Sequence, residues 1–307
     1  MVRAGVPIRV RHGSCHQNLR AQAPDLLGAE KAMDRTRRTL LKACGMLALP
    51  GTLLANAGPF RIGVAPYTSA RVIIEQYQPL RRHLERQLGR PALVVTAPDF
   101  NDFIRRALRN EFDLVVTTGH QARLLQTDAG YLPLLTYQSE FKAFAVVAKQ
   151  GPVQRPADLA GKVVLGLSPT SLVTLWGWHW LQDQNLRQTA TPRHVSAADS
   201  VAQQVLGGEA AAGFMSSANF DKLPEASRSR LRVLAESDSL AGRVYVLNPH
   251  SGVSRESMES TLFEFASGTE GKQYFATNHL GGYRKLRPNE LAQMDRYAAE
   301  VRLAIAQ

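Results

Sequence analysis

From residue 58 onward the chain alternates short apolar runs with longer stretches whose apolar residues recur every three or four positions. Phe60–Ala65 reads as a strand that Pro66 stops. Val72, Ile73, Tyr77, Leu80, Leu84 and Leu88 then follow at helical spacing, with Gly89 at the C-terminal cap and Pro91 just beyond. Ala92–Thr96 is a second strand. Asp99 caps a helix that carries Phe103, Ile104 and Leu108, and Phe112–Val116 is a third strand ending in Thr117-Thr118-Gly119-His120. A helix through Ala122 and Leu125 follows. Strands and helices that alternate with short connections predict an α/β fold with helices on the faces of mixed, mainly parallel sheets.

The pattern then runs twice. Phe141–Lys149 is a longer apolar strand, and Gln154–Lys162 predicts a short helix and turn. Val163–Leu167, Ala211–Met215 and Leu231–Ala235 read as strands of a second unit, and Val244–Leu247 returns to the first. Helices over Ser254–Ser267 and Asn289–Ala306 close the chain. The expected architecture has two lobes. Residues 58–145 with 246–307 form the first, and residues 146–245 form the second. Phe141–Lys149 and Arg243–Leu247 are the crossing strands, and a ligand cleft lies between the lobes.

The formal charge is +11 over 307 residues. Residues 1–57 hold nine Lys/Arg against three Asp/Glu, and the remaining 28 and 23 leave only +5 for the rest. Arg81, Arg82 and Arg86, and Arg105, Arg106 and Arg109, lie at helical spacing among carboxylates. They read as solvated helix faces, so no nucleic-acid partner is expected. Both cysteines, Cys15 and Cys44, precede residue 58, so the chain beyond has no thiol for a disulfide, a metal or catalysis. Residues 33–57 set basic residues before an apolar stretch, Leu40–Leu54, and end in Ala55-Asn56-Ala57, a small-residue cleavage pattern. Thr36–Lys42 resembles a twin-arginine export signal through Arg37 and Arg38. Met33 is the expected start, residues 1–32 an extension, and the periplasm the expected destination.

Four stretches, taken in order, resemble the phosphate/phosphite/phosphonate-binding proteins of ABC importers. They are Gly63–Pro66 with Gln78–Leu80 and Leu88-Gly89, Ala97–Phe100 with Arg109–Leu114, Asp158–Val164, and Ser168–Ser171. The resemblance implies a periplasmic binding protein of the type II fold, a monomer that closes two lobes on a small ligand and hands it to a membrane permease. It implies no cofactor and no enzymatic activity. In those relatives a run of Ser/Thr follows the Pro169 position, whereas here Leu172 and Val173 replace two of the hydroxyls. An aromatic position of the relatives falls on Thr118, and their acidic positions fall on Ala218 and Arg243, so a carboxylate or another oxyanion is favoured over an aminoalkylphosphonate.

Strand ends in such sheets collect ligands. The candidate contacts are therefore Tyr67, Thr117, Thr118, His120, Ser168, Thr170, Ser171, Thr174, Ser216, Ser217 and Arg243. The start of the helix after Ser171 offers free amides to an anion. Trp176, Trp178 and Trp180 cannot share one helical face; Trp176 is expected in the core, and at least one of the three near the cleft or surface. No G-x-S-x-G, H-E-x-x-H or phosphate-loop motif occurs, and the six His after residue 57 have no metal-ligand spacing. The alternatives are a periplasmic sensor that partners a membrane receptor kinase, and an enzyme on the same scaffold.

Overall fold

The computed structural model describes residues 58–306. The targeting segment, both cysteines and the 1–32 extension lie outside the described residues. Six strands form one sheet: β1 (Phe60–Val64), β2 (Ala92–Val95), β3 (Leu114–Thr118), β4 (Leu132–Tyr137), β10 (Arg243–Leu247) and β11 (Tyr283–Lys285), in the order β11-β4-β10-β3-β1-β2. Five form another: β5 (Ala143–Ala148), β6 (Val163–Gly166), β7 (Thr191–His194), β8 (Ala212–Ser216) and β9 (Leu231–Glu236), in the order β7-β6-β8-β5-β9. Both sheets are mixed. β1 runs parallel to β2 and β3, and β6 to β7 and β8. The remaining pairings are antiparallel.

Helices cover both faces of the six-stranded sheet. Helix α1 (Ala70–Leu88) starts on Ser69, whose side chain accepts from the Val72 amide, and ends on Gly89 at φ 61°. It seats Ile73, Tyr77, Leu80 and Leu84 beside Phe60, Ile62 and Val64. Each such buried Leu or Ile contributes roughly 1.5–3 kcal/mol. Helices α2 (Phe100–Leu108) and α3 (Gly119–Asp128) share a second core with Val115. In the five-stranded unit, α4 (Leu172–Asp183) packs on one face and α5 (Ala198–Leu206) on the other. Short helices α6 (Ser217–Lys222) and α7 (Glu225–Arg228) follow β8. Helices α8 (Arg255–Ser267) and α9 (Thr269–Asn278) join the α1 core, and α10 (Asp295–Ile305) lies against α3.

The three tryptophans of α4 surround a single side chain. The rings of Trp176, Trp178 and Trp180 lie 6.2, 5.3 and 6.4 Å from that of Phe214. Gly177 permits this, because a Cβ there would stand 2.4 Å from the Phe214 ring. Trp176 and Trp178 are buried, and Trp180 is partly exposed.

Several elements were not predicted. β4 contains Pro133, which marks a run as an edge or non-strand, yet β4 pairs on both sides. A register shift at Tyr245/Val246 of β10 accommodates the proline beside it. β7 reads Thr-Pro-Arg-His, is wholly exposed and forms a sheet edge, so no apolar pattern announces it. The helix expected over Asn289–Ala306 divides into a 3-10 turn at Ala292–Met294 and α10, with Asn289 at φ 61°.

The chain leaves the six-stranded sheet after Tyr137 and enters the five-stranded one at Ala143. It returns between Glu236 and Arg243. At this double crossing an isolated bridge pairs Phe141 with Leu240. The amide of Gly119 donates to the Ala241 carbonyl at 3.0 Å, and a Cβ on Gly119 would stand 2.6 Å from that same oxygen. The close approach therefore requires glycine.

Candidate functional site

Beside the crossing is a pocket of about 370 Å3 lined by residues of both sheets. From the six-stranded side come Tyr67, Thr117, Thr118, Thr136, Tyr137 and Arg243, and from the five-stranded side Ser168, Ser171, Leu172, Val173, Ser216 and Asn219. Its size falls in the range of pockets that enclose whole small molecules.

Arg243 dominates the electrostatics. It begins β10, directly opposite Thr118 of β3. Side chains of directly opposed residues stand on one face of a sheet. The Arg243 guanidinium carbon stacks 3.9 Å from the Tyr67 ring centroid. Its Nη1 is shielded from solvent and has no hydrogen-bond partner, and neither has the Thr118 hydroxyl. Burial opposes the charge of Arg243, and the surrounding phenols of Tyr67, Tyr77, Tyr137 and Tyr274 favour it, holding its pKa above the ordinary value. Burial holds the Tyr67 phenol well above its usual range, so it stays neutral and cannot balance the guanidinium. Lys222 adds positive charge; burial, and then Arg243 itself, hold its ammonium below its ordinary value. The two carboxylates of the lining, Asp99 and Glu140, are exposed, and Asp99 is occupied in capping α2, where it accepts from the Asp102 amide at 2.8 Å.

Beneath Arg243 is a knot of buried phenols. The Tyr137 hydroxyl lies 2.7 Å from those of Tyr245 and Tyr274 and 3.4 Å from that of Tyr77, and Tyr283 donates to Tyr245 at 2.9 Å. Tyr67 donates to Gln76 Oε1 at 2.7 Å, which leaves the buried Gln76 amide nitrogen without an acceptor.

The hydroxyls on the opposite side are committed within the protein. Thr170 donates to Asn101 Oδ1 at 2.8 Å. Ser171 donates to Thr174 Oγ1 at 2.8 Å, and Thr174 also accepts from the Leu167 amide at 2.8 Å. Ser171 is the N-cap of α4, but its hydroxyl does not cap the helix.

Of the eleven residues singled out in the sequence, Tyr67, Thr117, Thr118, Ser168, Ser171, Ser216 and Arg243 line the pocket; His120, Thr170, Thr174 and Ser217 do not. His120 is fully buried, and its Nε2–H donates to the Thr170 carbonyl at 3.0 Å, tying α3 to the start of α4. Burial lowers its pKa to about 4, against a weaker opposing effect of that bond, so it is neutral near pH 7. Ser217 accepts from the Lys142 amide at 3.3 Å. Thr136 and Tyr137, at the end of β4, were missed because Pro133 hides that strand; knowing β4, the strand-end rule would have found them. Among the described residues no group of three His, Cys, Asp or Glu is gathered for a metal ion.

Two mixed sheets flanked by helices, with the chain crossing twice between them beside a pocket, define a periplasmic binding protein of the type II fold. Solved structures agree. XAC2383 from Xanthomonas citri, bound to chloride ion, matches with a TM-score of 0.69 at 18% identity, covering 80% of this chain and 99% of that one. PhnD1 from Prochlorococcus marinus in complex with methylphosphonate matches at 0.70 and 15%, with coverages of 80% and 99%. The aliphatic sulphonate binding protein SsuA from Escherichia coli matches at 0.54 and 15%, with coverages of 80% and 92%. No curated protein sequence matches the chain. Residues 62–291 match the family model described as ABC transporter, phosphonate, periplasmic substrate-binding protein, and the chain belongs to that family. Members bind small molecules and work with ABC permeases, and no helix among the described residues is long and apolar enough to cross a membrane.

Proposed function

We propose that the protein captures a small anionic solute in the pocket beside Arg243 and delivers it to an ABC permease. The observation that carries this reading is the partly buried guanidinium of Arg243, whose shielded Nη1 has no partner and whose neighbours are neutral phenols. A buried charge without a counter-ion is costly. A bound anion would supply the missing acceptor at Arg243 and at Thr118, in a setting where Lys222 reinforces the positive potential. The amides at the start of α4 add a second set of donors. Arg243 departs from a site built for an amine-bearing ligand, which needs a carboxylate in its place. Capture proceeds by rotation of the five-stranded unit, residues 143–236, against the six-stranded one about the crossing at Phe141 and Leu240. Delivery to the periplasm uses Arg37 and Arg38 of the twin-arginine-like segment. The test is thermal unfolding of the purified protein with phosphate, phosphite, methylphosphonate, a sulfonate and a carboxylate. Saturable stabilisation by an anion, lost in Arg243→Gln, is expected; stabilisation by none of them overturns the reading.

A further inference from the structure

Helix α4 is gripped by both units. It rides on β8, with its three tryptophans around Phe214. A helix lying on its own sheet alone keeps a polar outer face, yet Leu172–Trp178 are buried without a break. Helix α10 lies against it, and Tyr297, Ala298 and Val301 share a core with Leu175 and Trp176. Helix α10 is in turn fastened to the six-stranded unit. Arg123 of α3 donates to Asp295 at 2.6 Å, Arg302 donates to Asp128 of α3 at 2.6 Å, and Arg105 of α2 donates to the Ile305 carbonyl at 3.3 Å. Between these anchors Glu300 accepts from Nε2–H of His179, whose ring lies 5.1 Å from that of Tyr297. Neither His179 nor Glu300 lines the pocket.

A rigid rotation spares only the contacts on its axis. The crossing lies against Gly119, next to His120, and His120 holds the Thr170 carbonyl at the start of α4. His179 is about 12 Å further along the helix, so an opening rotation about the crossing displaces His179 and Glu300 more than it displaces Thr170. We propose that α10 is a clasp that holds the two units closed, with Glu300 as its hook on His179, so that this pair governs how long a captured solute is retained without touching it. The clasp rests on the rotation assigned above and is independent of the charge of the solute.

X-ray scattering and tryptophan emission of the purified full chain, with no solute added, test it in wild type, Glu300→Gln, His179→Gln and the double variant. All three tryptophans of the chain lie on α4, two of them flanking His179, so emission reports this contact without a label. Each single variant should raise the radius of gyration and move emission to longer wavelength. The double variant should go no further, because both changes remove the same contact. With methylphosphonate as probe, the single variants should release it about fivefold faster at an unchanged association rate, the factor expected of one hydrogen bond. A merely structural role would lower the unfolding midpoint and leave those rates alone. The two variants approach the contact from opposite units, so either decides if the other fails to fold. An unchanged radius and emission, a more compact chain, or a double variant that opens by the sum of the singles overturns the clasp. If no anion of the thermal series binds, the anion reading falls, and the scattering comparison, which uses no solute, still decides the clasp.

Discussion

The guanidinium of Arg243 stacks on the ring of Tyr67 at 3.9 Å, and Tyr67 is neutral, so the stack orients the charge without cancelling it. Removing the charge therefore has different effects on folding and on binding. Arg243→Met should leave the unliganded protein about as stable as before, since the charge is partly buried without a counter-ion and replacing such a charge by an apolar chain of similar volume is often neutral or stabilising. Anion affinity should fall by roughly 1.5–3 kcal/mol, the usual range for a charge-assisted hydrogen bond. Urea denaturation and ligand titration on one preparation check both. A large loss of stability together with unchanged affinity would show Arg243 to be structural.

His120 makes the link between α3 and the start of α4 sensitive to acid. Its Nε2–H is committed to the Thr170 carbonyl, and Nδ1 is buried with no donor near it. The folded-state pKa is about 4, below the ordinary value of 6.5, so the unfolded chain takes up the extra proton first. The contribution is complete above about pH 6.5, declines as pH falls towards 4, and levels off below that. A shift of this size is worth about 3 kcal/mol. The difference in unfolding free energy between wild type and His120→Gln, followed across pH 7 to 4, should shrink by that order. A difference that does not change with pH would contradict it.

The phenol knot beneath Arg243 makes a graded prediction. Tyr137 joins three other hydroxyls, two of them at 2.7 Å, whereas Tyr77 reaches the knot only at 3.4 Å. Tyr137→Phe leaves buried hydroxyls of Tyr245 and Tyr274 short of a partner and should cost about 1–3 kcal/mol. Tyr77→Phe should cost clearly less. Chemical denaturation of the two variants side by side decides the order.

Periodicity revealed the two-lobed α/β plan because most of its strands are short apolar runs bounded by Pro or Gly, and α1 carries its apolar residues at helical spacing. It was silent where another force sets the structure. β4 survives Pro133 because its partner strand shifts register there, and β7 is held only by its edge position, with no buried side chain to announce it. The strand-end rule led to Tyr67, Thr118, Ser168, Ser216 and Arg243, all on the pocket wall. It could not say which way a residue just beyond a strand end turns. His120, one residue past Gly119, rotates into the core, and Thr170 turns its hydroxyl to Asn101. Chain pattern fixes a residue's position along the strand, whereas the rotation of the following helix depends on tertiary packing.

Two glycines with equally tight surroundings separate folding from function. A Cβ on Gly177 would meet the Phe214 ring at 2.4 Å, and one on Gly119 would meet the Ala241 carbonyl oxygen at 2.6 Å. Alanine gains up to about 1 kcal/mol over glycine in a helix interior, but overpacking typically costs about 1–3 kcal/mol. Gly177→Ala should thus be neutral to moderately destabilising, because a ring edge within the core can shift. At Gly119 the new Cβ would press on the Cβ and backbone carbonyl of Ala241, neither of which is a flexible side-chain end, so Gly119→Ala should destabilise at least as much and break the bond from the Gly119 amide to Ala241. Gly119 also follows Thr118, whose hydroxyl stands beside Arg243, so pushing α3 off the crossing moves a proposed ligand donor. Gly119→Ala should lower the unfolding midpoint at least as much as Gly177→Ala, and only Gly119→Ala should weaken anion binding, by roughly tenfold or more. Equal loss of affinity in the two would mean that the crossing does not control the site.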